Sequence, residues 1–138
     1  MTAPIEIKTD GIILGTENYD ACCAFYRDLI GLPVWYDKGH LLCLRYGDGY
    51  LMIETGGHAH NGVKPNAHNP TMLRFNVEDV KAASDALRAR GVDVDYKEFE
   101  WGQVGTFCDP DDNKCELKDA GDVWGSVQNS VSFCYFII

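Results

Sequence analysis

The chain has 138 residues, 46% hydrophobic, 24% charged and 12% aromatic, which excludes a disordered chain and fits one compact domain or two small halves. Its 12 Lys and Arg stand against 21 Asp and Glu, a net charge of −9, so neither nucleic acid nor a membrane surface is an expected partner. No apolar run reaches the roughly 20 residues of a membrane helix, and residues 1–8 have neither a basic nor an apolar leader region, so the expected location is cytoplasmic.

In chain order, the run Gly11-Ile12-Ile13-Leu14-Gly15 opens as a strand. Asn18 stands where an N-cap belongs. Tyr19, Cys22, Cys23, Tyr26, Leu29 and Ile30 recur at helical spacing, which predicts a helix over 19–30. Gly31 supplies a left-handed end residue, and Pro33 bars continuation. A strand over 31–36 then leads into a hairpin that pairs 41–46 with 50–54 across Gly47-Asp48-Gly49. A two-residue turn at Asp48-Gly49 sets Arg45 opposite Met52 and on the face of Glu54; a three-residue turn reverses it.

Residues 57–70 are rich in Gly, His and Asn and read as a linker. His58 and His60 form a His-x-His there, and on such a loop the pair is expected to be solvated. The pattern then repeats. Thr71-Met72-Leu73-Arg74-Phe75 reads as a strand, and a helix is predicted over 77–90, with Asn76 as its cap and Val80, Ala83 and Leu87 as its apolar stripe. Gly91 ends it. A strand over 91–96 precedes a hairpin pairing 104–108 with 114–118 across Asp109-Pro110-Asp111-Asp112-Asn113.

The order strand, helix, strand, strand, strand therefore occurs twice, with units at about 9–56 and 71–119. Gly31 to Glu54 spans 23 residues and Gly91 to Glu116 spans 25, as a duplication requires. One βαβββ unit cannot bury both faces of its sheet, so two must share an assembly, and a homodimer is expected. The tail 120–138 ends in an apolar stretch, Phe133-Cys134-Tyr135-Phe136-Ile137-Ile138, expected to pack as an extra strand or on a partner. Six cysteines without zinc-like spacing are expected to be reduced, apolar filler.

Three segments resemble a known family. They are Phe25-Tyr26-Arg27-Asp28-Leu29-Ile30-Gly31-Leu32-Pro33-Val34, then Asn76-Val77-Glu78-Asp79-Val80 with 87–92, and Asp109-Pro110-Asp111-Asp112-Asn113-Lys114-Cys115-Glu116-Leu117. Together they are similar to the vicinal oxygen chelate superfamily, which includes glyoxalase I, extradiol dioxygenases, fosfomycin-modifying enzymes and bleomycin-binding resistance proteins. The resemblance implies an α+β fold in which two βαβββ units form a curved mixed sheet around a cleft. It places the four metal-ligand positions of the metal-dependent members at Gly11, Glu54, Met72 and Glu116.

Gly11 has no side chain and Met72 offers only a thioether, so no metal centre and no cofactor is expected. Glu54 and Glu116 are the candidate catalytic residues. Arg45, Met52, Met72, Arg74, Asn76, Trp101 and Phe107 are the candidate ligand-binding residues, with Met72, Arg74 and Asn76 sharing strand parity. The expected function is binding of a small cationic or aromatic molecule without the usual metal. The alternative is a lyase, isomerase or dioxygenase-type enzyme with Glu54 and Glu116 as base or metal ligands.

Overall fold

A computed structural model describes residues 3–121. The chain forms two compact units, which divide between Asn61 and Gly62. Each is a βαβββ unit with one four-stranded mixed sheet, an α+β architecture. The apolar tail lies outside the described residues.

Unit 1 comprises β1 (Gly11–Thr16), α1 (Tyr19–Ala24), β2 (Val34–Asp37), β3 (Leu41–Tyr46) and β4 (Gly49–Thr55), with strand order β1-β4-β3-β2. β1 runs parallel to β4, and the other pairs are antiparallel. The predicted helix is present, but its second half, Phe25–Ile30, widens into a π-helical segment. Asn18 occupies the N-cap without using its side chain there. Gly31 ends the segment at φ +90°, the left-handed conformation that glycine adopts without a Cβ penalty. Cys22, Cys23, Phe25 and Tyr26 are buried, and with Leu42, Leu44, Leu51 and Ile53 they make the core of this unit.

The first hairpin turns through Gly47 and Asp48, one residue earlier than predicted, because Tyr46 pairs with Gly49 and Gly47 takes the positive φ. Arg45 therefore stands opposite Tyr50 rather than Met52. The shift moves both ends of the pairing together, so Arg45 keeps the face of Glu54.

Unit 2 comprises β5 (Leu73–Val77), α2 (Val80–Ala89), β6 (Asp95–Phe99), β7 (Gly102–Cys108) and β8 (Lys114–Asp119), with strand order β5-β8-β7-β6. α2 begins three residues later than the apolar spacing predicts. Its N-cap is Asp79, whose carboxylate accepts from Ala82 N at 3.0 Å, while Asn76 belongs to β5. A side-chain acceptor three residues before a free amide satisfies one of the orphan donors of the first turn, and Asp79 meets that geometry.

Val80, Ser84 and Leu87 of α2 are buried, along with Leu73, Phe75, Phe107, Cys115 and Leu117 of the sheet. Gly105 is required beneath the helix: a Cβ there would lie 2.6 Å from Ser84 Oγ and 3.2 Å from Val94 Cγ1. The residues read as a linker are shared out. Ala59 N donates to Glu17 Oε1 within unit 1, whereas Gly62 N and Lys64 N donate to Asp112 within unit 2.

Candidate functional site

Each sheet has one face under its helix and one face free of it. In unit 2 the register puts Arg74 beside Glu116, Glu116 opposite Thr106, Val104 opposite Lys118, and Lys97 opposite Val104. Period-two alternation therefore sends Arg74, Asn76, Glu116, Lys118, Thr106, Val104, Asp95 and Lys97 to the helix-free face. A pocket of about 340 Å³ opens on it, lined by Arg74, Glu116, Lys118, Thr106, Phe99 and Trp101 among others.

Its floor is polar. Both Nε and Nη2 of Arg74 donate to Oε1 of Glu116, at 2.7 and 2.6 Å. Glu116 and Lys118 are nearly buried, although both are charged. Its rim is aromatic. Phe99 and Trp101 stack in parallel, with centroids 4.8 Å apart and 4° between planes, and they are 46% and 62% exposed. Lys118 Nζ lies 5.1 Å from the Trp101 ring centroid, within range of the ring's negative face.

Two expected residues stand elsewhere. Met72 precedes β5 and lies outside the ladder that aligns Arg74 and Asn76. Phe107 is 5% exposed on the helix-covered face, where it stacks on Phe75 at 6.3 Å, so its main contact is packing. Both border a separate hollow beside the 109–113 loop, with Val63, Cys108 and Lys114. Lys118 and Phe99 were not among the expected site residues. The signal for Lys118 was present: it shares strand parity with Glu116 two residues earlier.

In unit 1 the helix-free face carries Glu54, Met52, Tyr50 and Arg45, by the same alternation. The Arg45 guanidinium lies over the Trp35 ring at 4.8 Å rather than on Glu54, and Trp35 in turn touches Tyr50. Glu54 and Glu116 thus occupy matching strands but different surroundings, since only Glu116 is held by an arginine among the described residues.

The four positions expected for metal ligands do not make a donor set. A Cβ at Gly11 would overlap the Tyr50 ring, so an aromatic side chain occupies the space beside this glycine. Met72 is outside its strand, and Arg74 supplies the positive charge beside Glu116. Among the described residues no three His, Cys, Asp or Glu side chains converge. The described residues at these positions do not fit a divalent metal centre, which needs three or four donors.

No disulfide joins any two of the five described cysteines. Burial raises Cys23 above the ordinary thiol range, and burial with Asp112 and Asp109 raises Cys108, so neither is an activated nucleophile.

The model of the Glyoxalase/Bleomycin resistance protein/Dioxygenase superfamily matches residues 8–117. The chain is 29% identical over 119 residues to the uncharacterized protein YraH of Bacillus subtilis (strain 168), covering 77% of this chain and 93% of that protein. It resembles the crystal structure of lactoylglutathione lyase from Agrobacterium tumefaciens, with TM-score 0.65 and 22% identity over 89% of this chain and 99% of that one. It also resembles TnmS3, an antibiotic binding protein from Streptomyces sp. CB03234, with TM-score 0.58 and 23% identity over 86% of this chain and 98% of that one. At these identities the two structures establish the fold.

Proposed function

The chain belongs to that superfamily, and within it we propose a small-molecule-binding protein that seats a planar ligand against Trp101 and Phe99 of unit 2. The stacked, exposed aromatic pair at the rim of the pocket carries this reading. Two large rings left in water lose the free energy their burial would give, and a flat ligand recovers it by extending the stack. The pocket volume, about 340 Å³, is at the small end of the range for ligand sites, about 300–1,000 Å³, and suits one or two fused rings.

The reading involves no metal. The antibiotic-binding neighbour supports it as a precedent for binding on this fold.

A panel of one- and two-ring aromatic compounds is to be screened by thermal shift, and hits titrated by tryptophan fluorescence against Trp101→Ala, with Trp35→Ala as the unit 1 control. Binding should weaken by about tenfold or more in Trp101→Ala and hold in the control. Hits that bind both variants as tightly as the parent would end this reading.

A further inference from the structure

Four side chains form a row across the helix-free face of unit 2. Arg74 on β5, Glu116 on β8, Thr106 on β7 and Asp95 on β6 stand side by side in register, and all four line the pocket. The two ends of the row are engaged. Arg74 gives two donors to Glu116 Oε1, and Asp95 lies 3.4 Å from Lys97 Nζ.

The middle of the row is not. Glu116 Oε2 accepts from no described residue, and the Thr106 hydroxyl has no hydrogen bond to one. Neither oxygen is sealed off, so each is open to whatever enters the pocket. Opposed side chains on neighbouring strands stand about 5 Å apart, so one flat molecule can reach both oxygens. Their chemistry differs. A carboxylate oxygen only accepts, whereas a hydroxyl can donate. Glu116 therefore calls for an N–H, and Thr106 can serve a carbonyl beside it.

Arg74 sets the charge at this point. Its guanidinium balances the Glu116 carboxylate, so a cation entering here gives up its hydration for little net attraction. A neutral N–H keeps a charge-assisted hydrogen bond at a smaller desolvation cost. A ring with no donor covers Glu116 Oε2 and leaves it unpaired, which weakens binding.

We infer that this pocket selects a neutral ring amide, a planar ring whose edge carries an N–H beside a C=O. The ring stacks on Trp101, the N–H donates to Glu116 Oε2, and the carbonyl accepts from Thr106. This rests on the planar-ligand reading above and adds the polar edge that the ligand presents.

The test uses 2-quinolone and coumarin, which share one shape and differ in the ring N–H that coumarin replaces with oxygen. A third probe, 2-naphthylmethylammonium, supplies the cation. Each is titrated into the full chain by calorimetry. The quinolone should bind at least about tenfold more tightly than either of the others. Glu116→Gln reverses the polarity: its amide oxygen stays on Arg74, so its N–H donors turn to the pocket. That variant should abolish the quinolone's advantage while coumarin binds no more weakly. Thr106→Val should weaken quinolone and coumarin by a similar factor, because both keep the carbonyl.

If Glu116→Gln does not fold, the parent's preference between quinolone and coumarin decides the matter, together with Thr106→Val. Equal binding of quinolone and coumarin, tightest binding of the ammonium, a preference unmoved by Glu116→Gln, or no effect of Thr106→Val overturns the inference and leaves the planar-ligand reading standing. Binding of none of the three, or binding indifferent to Trp101→Ala, removes both.

Discussion

Arg74 and Glu116 sit side by side on parallel neighbours β5 and β8, and one carboxylate oxygen takes two of the guanidinium's donors. The pair is lopsided: the Arg74 side chain is 49% exposed and that of Glu116 only 11%. Removing the arginine therefore strands the more buried partner. Arg74→Met should cost about 1–2 kcal/mol in urea unfolding, while Arg74→Met with Glu116→Gln should recover part of that loss. Additive losses in the double variant would show that the two groups do not depend on each other.

Ser84 Oγ is buried in the face of α2 and has no hydrogen-bond partner among the described residues. Ser84→Ala removes that unmet group, so stability should rise by up to about 1 kcal/mol. Gly105→Ala should do the reverse, because the new methyl meets Ser84 and Val94. Thermal melts of the two variants, compared with the parent, check both signs.

Tyr19 is pushed up to about 12, by burial first and then by its hydrogen bond with the Cys23 thiol. A phenol raised above its unfolded value of about 10 contributes stability that is present below pH 10 and lost as pH rises toward 12. The melting temperature of the parent should therefore fall more steeply across that window than that of Tyr19→Phe. Parallel curves would contradict the assignment.

Cys23 and Cys108, both raised by burial, should resist alkylation. After iodoacetamide treatment at pH 8, peptide mapping should find both unmodified in the folded chain and modified in urea. Rapid labelling of Cys108 would point to an accessible thiolate.

Zinc, nickel or manganese at one equivalent should leave the melting temperature unchanged, since Tyr50 and Arg74 stand where donors or a cation would be. A rise that survives dialysis and disappears in Glu54→Gln would restore a metal to this fold.

Much of the fold is legible in the sequence because glycines and apolar spacing act locally. Gly31 and Gly91, at φ +90° and +89°, end both helical stretches where the pattern places them. The start of α2 was harder to read. Asn76 and Asp79 are both good caps, and only the pairing of Asn76 with Lys118 in the sheet decides between them. The π-helical turn at Phe25–Ile30 has no signature in spacing, because the same side chains suit either winding.

The site was half legible. Parity aligned Arg74 with Asn76, but Met72 fell outside the strand and Phe107 on the covered side, and the pairing of Arg74 with Glu116 came only with the sheet register. Net charge is an average over 138 residues and does not say which charges a strand brings to one face.

The Tyr50 ring over Gly11 couples two positions that are 39 residues apart. A histidine introduced at 11 alone meets the ring, which must then turn aside beside its neighbour Trp35, the ring under Arg45. A smaller residue at 50 alone uncovers the glycine and gains no donor. A donor at 11 and room for it at 50 are therefore two separate requirements, and one substitution meets only one of them.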